Sequence, residues 1–130
     1  MKFLQPPDWA KPRGYSNGIV VRGQLVFVAG MIGWNKDAQF ETDDFAAQVR
    51  QALENIVAVL HEAGAGPEHV VRLTWFVTDK REYHASLPKL GEAYRAVMGK
   101  HYPVMSVLEV TALMEDRAKV EIEATAVIPE

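Results

Sequence analysis

The apolar pattern of the sequence predicts an α+β fold, a mixed β-sheet with two helices on one face in the order β-β-α-β-α-β-β. Three observations predict it. Phe45, Val49, Leu53, Ile56 and Leu60 recur at helical spacing, and Leu87, Leu90, Tyr94, Val97 and Met98 form a second such stripe. Runs such as Val70 to Thr78 and Lys119 to Ile128 alternate apolar and polar residues with the period of a strand. A helix with one apolar stripe must bury it, and a sheet covered on one face accounts for both helices.

The elements follow in order. After a proline-rich lead (Pro6, Pro7, Pro12), Gly18 to Arg22 and Leu25 to Ala29 are β-branched and aromatic runs. Gly23-Gln24 between them reads as the turn of a hairpin. Gly30, Gly33 and Asn35-Lys36-Asp37 mark a loop. Thr42-Asp43-Asp44 supplies an N-cap and an acidic first turn for the first helix, which Gly64-Ala65-Gly66-Pro67 ends. In the strand from Val70 to Thr78, Val71, Leu73, Trp75 and Val77 form the apolar face. The second helix runs from about Tyr83 to Met98 with Gly99 as its C′ residue, and Pro88 requires the helix proper to begin near it. Met105 to Val110 and Lys119 to Ile128 are the last strands. The sheet face away from the helices carries Arg72, Thr74, Glu121, Glu123 and Thr125. Such a face is either solvated or turned toward the inside of an oligomer.

A chain of 130 residues fits a single domain spanning 1–130, large enough for a core without staples. A net charge of −3 speaks against a nucleic-acid partner, which usually requires a basic excess. With no cysteine, disulfides, thiolate zinc sites and cysteine nucleophiles are excluded. The N-terminus turns polar and proline-rich too early for a signal peptide, and no apolar run approaches the roughly 18 residues of a membrane helix. The expectation is a cytoplasmic protein with no membrane partner.

The sequence resembles the RidA/YjgF family of small trimeric imine and enamine deaminases. The likeness runs from Gly14 to Pro129, through Gly14-Tyr15-Ser16, Phe27 to Ile32, Gln48 to Ile56 with Gln51, Leu53 and Asn55, Val70 to Asp79, Pro103 to Val110 and Val120 to Val127. It implies a chorismate-mutase-like homotrimer, three ligand clefts between subunits, and no cofactor. It also tips the polar sheet face toward an inter-subunit role.

Site residues implied by the resemblance transfer one at a time. Tyr15 matches the family's cleft tyrosine, whose O–H can bond a ligand or water; a buried tyrosine bonded to backbone is the plain alternative. Gly30, Met31 and Ile32 match a cleft-lining stretch, where glycine allows close approach to main chain. Tyr83 matches an aromatic at the start of the second helix, where packing is the alternative role. Glu121 matches the glutamate that positions the attacking water, chemistry a carboxylate can perform on a C=N bond; a solvated strand glutamate is its alternative. Met105 stands where the family carries a carboxylate-clamping arginine, and Val107 where it carries a cysteine. A thioether cannot replace a planar guanidinium fork. The cleft floor around Met105, Ser106 and Val107 should therefore be apolar and suited to a bulkier ligand.

Trp34 departs from the family pattern and is a candidate to cap the cleft. Arg13, Lys36 and Arg117 are candidates to replace the missing cation. His61, His69, His84 and His101 show no metal-ligand spacing and read as surface residues, so no metal site is expected. Some relatives of the family are described as ribonucleases, a chemistry for which this chain offers no basic stripe. Two functions stand: cofactor-free hydrolysis of an imine or enamine other than the small 2-imino acids, and a non-catalytic trimeric protein binding a small molecule in its inter-subunit clefts.

Overall fold

A computed structural model describes all 130 residues. Four strands form a mixed sheet in the order β3 (Gly23–Ile32), β6 (Val120–Pro129), β4 (Val70–Val77), β5 (Val104–Glu109). The first two pairings are antiparallel, and β4 runs parallel to β5. Helix α1 (Phe45–Glu62) lies across one face of this sheet beside α3 (Leu87–Met98), as the two apolar stripes required. Val49, Leu53, Ile56 and Leu60 of α1 are wholly buried against Leu73, Trp75 and Val77 of β4 and Val120, Ile122, Ala124 and Ala126 of β6. Each such aliphatic side chain contributes roughly 1.5–3 kcal/mol by leaving water.

Four expectations are corrected. Gly18 to Arg22 does not form a hairpin with the next run: β2 (Gly18–Val20) pairs antiparallel with β1 (Lys2–Leu4), and β3 pairs with β6. Leu4 packs directly over Gly18, where a side chain would meet its carbons at 3.2 Å. The second helix is two helices, because Ser86 breaks the chain between α2 (Lys80–Ala85) and α3. Pro88, in the first turn of α3, is the physical reason: it has no N–H to give to a preceding turn. Asp44 is the N-cap of α1 and accepts from Ala47 N at 3.0 Å, but the first turn itself holds no acid. Finally, a bulge at Val71 shifts the register of β4, so that Val70 rather than Val71 is fully buried.

Polar side chains buried beneath the loops lock the elements together. Gln48 has no exposed surface; its amide donates to the carbonyls of Thr42 and Arg117 and accepts from Lys119 N. Gln51 donates to Asn55 Oδ1, and Asn55 in turn donates to the carbonyls of Ile32 and Trp34. The sheet face away from the helices stays open, and Leu25 and Phe27 of β3 are 60% and 74% exposed on the same sheet as Arg72 and Glu123. It is therefore less polar than the alternation in β4 and β6 predicts. No helix is long and apolar enough to cross a membrane.

Candidate functional site

A cleft of about 450 Å³ opens where β4 and β5 meet α2, α3 and the segment before β2. The parallel register of β4 and β5 aligns Met105 with Leu73 and Val107 with Trp75, which turns Met105 and Val107 toward the helices and onto the cleft floor. Tyr83 and Leu90 close the helical side. The third wall is the short run Arg13-Gly14-Tyr15. It is held beside β5 because Ser16 N donates to Pro103 O at 3.0 Å, Ser16 Oγ donates to Tyr102 O, and Ser16 bridges Val104. Gly14 makes the turn at φ +77°, a conformation that side chains disfavour.

Aromatic rings dominate this cleft. Tyr83 meets Trp75 edge-on at 6.4 Å and Phe45 at 6.5 Å, and Tyr94 stacks on Tyr102 at 5.4 Å. Burial raises the Tyr83 phenol above its ordinary pKa, and burial followed by the neighbouring Tyr102 raises Tyr94 further. Trp75 is 4% exposed, and its indole N–H has no hydrogen-bond partner. Tyr15 is 42% exposed, so the alternative of a buried tyrosine is set aside.

Glu121 lies on the other side of the sheet. It is in register with Phe76 of β4 and Ile32 of β3, whereas its neighbours Val120 and Ile122 are fully buried on the helical side. Its carboxylate covers Gly30: a Cβ on residue 30 would stand 2.5 Å from Glu121 Oε2. Gly30 therefore makes room for this acid within the chain. Ser106, in register with Thr74, is exposed on that same face.

The chain thus brings Tyr15, Tyr83, Met105 and Val107 together and leaves Glu121, Gly30, Met31, Ile32 and Ser106 apart from them. Within one chain Trp34 does not line the cleft; it packs against Phe40 at 5.9 Å, and Asn55 ties its carbonyl to α1. Of the three candidate cations, Arg13 lines the cleft. Arg117 is committed elsewhere, paired with Asp43 at 3.0 Å and lying over the Phe40 ring, and Lys36 is exposed in its loop. Two of the four histidines are not simple surface residues: His101 is half-buried against Val70 O, and His69 Nδ1 accepts from Gly66 N.

Sequence reasoning missed one cleft residue of consequence, Arg95 on α3. Its guanidinium folds back over Gly91, where a Cβ would stand 3.0 Å from Nη1. The signal was available: a glycine inside a helix costs about 1 kcal/mol relative to alanine, and this one lies four residues before an arginine.

A family model described as endoribonuclease L-PSP matches residues 9–128. The chain is 34% identical over 126 residues to the RutC family protein UK114 of Drosophila melanogaster, covering 96% of this chain and 88% of the relative. It is 34% identical over 105 residues to the 2-iminobutanoate/2-iminopropanoate deaminase of Salmonella typhimurium, covering 81% of this chain and 80% of the relative. Among solved structures, YyfB of Yersinia pestis, described as a Rid family protein of unknown function, superposes with a TM-score of 0.86 at 30% identity over 98% of both chains.

Proposed function

The chain belongs to the endoribonuclease L-PSP family, the group that holds the RidA/YjgF proteins, and on that premise we propose that it hydrolyses an imine or enamine metabolite to a carbonyl compound and ammonia. The observation that carries the reading is the placement of Glu121. A strand carboxylate set over a glycine, on an open sheet face, is free to accept a proton from water. Water attacks the C=N carbon as its proton passes to Glu121, giving a carbinolamine. With the imine nitrogen protonated at the start, the proton on Glu121 then passes to the carbinolamine nitrogen, the freed carboxylate takes the hydroxyl proton as the C–N bond breaks, and ammonia leaves with a C=O in place of C=N.

Glu121 and the aromatic cleft lie on opposite faces of one sheet, so a site containing both needs two chains. The open face of one subunit must meet the cleft rim of the next. The exposed Phe27 and Leu25 supply apolar surface for such a contact. A homotrimer with the clefts between subunits satisfies this requirement, and sedimentation at micromolar concentration tests it; a monomeric mass overturns the shared site.

The function is tested with a panel of imines generated in situ by an amino-acid oxidase. Glu121→Gln should lower kcat by about 10²–10⁴-fold on any substrate found, since the amide keeps the size but accepts no proton. Unchanged turnover overturns the assignment. Met105 favours a second reading, a non-catalytic trimer that binds a metabolite in the same clefts. Saturable binding without turnover across the panel would establish it.

A further inference from the structure

We propose that the cleft selects imines or enamines carrying both an aromatic or bulky apolar group and a carboxylate, with Arg95 and Arg13 as the anion-binding residues and Gly91 as the residue that positions Arg95. The substrate class rests on the deaminase reading above; the anion site does not.

Charge is the first argument. Arg13 and Arg95 both line the cleft, no carboxylate lines it, and neither guanidinium takes part in an ion pair or a side-chain hydrogen bond. The protein as a whole carries −3, so this pocket runs against its net charge. A guanidinium recognises a carboxylate through a planar fork of N–H donors. Met105 removes the cation that the resemblance expects on β5, and these two arginines provide one from α3 and from the segment before β2.

Shape is the second. A volume of about 450 Å³ lies within the roughly 300–1,000 Å³ of sites for drug-sized ligands, well above what a three-carbon acid fills. Its lining includes Trp75 and Met105 on the sheet side and Tyr83 on the helical side, flat rings and an adaptable thioether. The buried side-chain polar atom without a partner, Trp75 Nε1, belongs to this same lining. A buried donor left unpaired calls for a partner, and an acceptor on a ligand in this cleft would supply one.

Gly91 is the third. Glycine is a poor choice inside α3, yet the space it leaves is where the Arg95 guanidinium lies. A residue with a Cβ there would crowd Arg95 Nη1 at 3.0 Å and shift the guanidinium from this position by a few tenths of an ångström.

Calorimetry with stable keto analogues tests the proposal on the intact assembly. Phenylpyruvate should bind about tenfold or more tighter than pyruvate, which lacks the ring, and than phenylacetone, which lacks the carboxylate. Arg95→Gln and Arg13→Gln should each weaken phenylpyruvate about tenfold or more while leaving phenylacetone unchanged, the loss of one charge-assisted hydrogen bond. Both arginines are exposed, and unchanged circular dichroism and sedimentation confirm that the variants fold. Gly91→Ala should raise Tm yet weaken phenylpyruvate, a split that a merely structural glycine would not give. Pyruvate or phenylacetone binding as tightly as phenylpyruvate overturns the proposal, as does phenylpyruvate binding that neither arginine variant weakens. Arginine-dependent binding with no imine turnover leaves the anion site standing and removes the deaminase reading. Glu121-dependent turnover that ignores both arginines does the reverse.

Discussion

Glu121 Oε2 lies 2.5 Å from the point where residue 30 would place a Cβ, so the acid and Gly30 occupy one another's space. Gly30 is not among the residues with positive φ, and its need for glycine is steric rather than conformational.

Gly30→Ala should therefore fold normally and displace the Glu121 carboxylate. The expected result is a fall in kcat approaching that of Glu121→Gln, with Tm within a few degrees of the parent. A displacement of 1 Å from the reacting position costs about 10²-fold. Steady-state kinetics beside thermal melts check it, and full activity in Gly30→Ala would show that the carboxylate works from another position.

Met105→Arg returns a guanidinium to the floor of the cleft. Pyruvate should then bind measurably by calorimetry where the parent binds it poorly. The gain will be partial, because Arg13 and Arg95 already bring positive charge to the same cleft and Met105 is half-buried among apolar groups. Tight pyruvate binding by the unmodified protein would contradict a changed substrate class.

Gln48→Leu tests the lock between loops. It strips two carbonyls and one N–H of their partner in a fully buried setting. The expected loss is about 2–5 kcal/mol, at roughly 1–3 kcal/mol for each group left unpaired in the interior, less what relaxation recovers. Urea unfolding measures it through a lowered midpoint at unchanged slope.

Tyr94 makes alkaline stability a readout of the cleft wall. Burial, then Tyr102, raise its phenol above the ordinary 10.0, so the fold holds the neutral form. The unfolded chain ionises near 10.0, and stability that is full below that pH drains as pH rises toward the higher folded value. Tyr94→Phe loses its bond to His101 O and so starts lower at neutral pH, but its Tm should fall less steeply above pH 10. Parallel melts at pH 7 to 11 decide it; equal slopes refute it.

How much of this could be read in the sequence depends on the range of the interaction. The stripe of α1 was plain because one helix face repeats locally, and Pro88 foretold where α3 begins because a missing N–H is a local fact. The partner of β2 was not legible: Gly18 to Val20 pairs with residues 2–4, and nothing in either run distinguishes that choice from the nearer one. Tyr15, Met105 and Val107 could be nominated through the family resemblance, but which face of the sheet each occupies follows from strand register. Arg95 escaped notice because a charged residue late in an amphipathic helix reads as solvated face; only its pairing with Gly91 sets it apart. Gln48 and Asn55 were recognised as signposts without a reason, and the reason is three hydrogen bonds to a fully buried side chain for one and two carbonyls at the end of β3 and just beyond it for the other.

The proposed sharing of one site between two subunits predicts that defective subunits repair one another. A chain with Glu121→Gln still offers a sound aromatic wall, and a chain with Arg95→Gln still offers a sound carboxylate. Unfolded together and refolded as mixed rings, two poorly active preparations should regain on the order of a quarter of the parental sites, because one junction in four then joins two intact halves. Had both groups come from a single polypeptide, mixing could restore nothing.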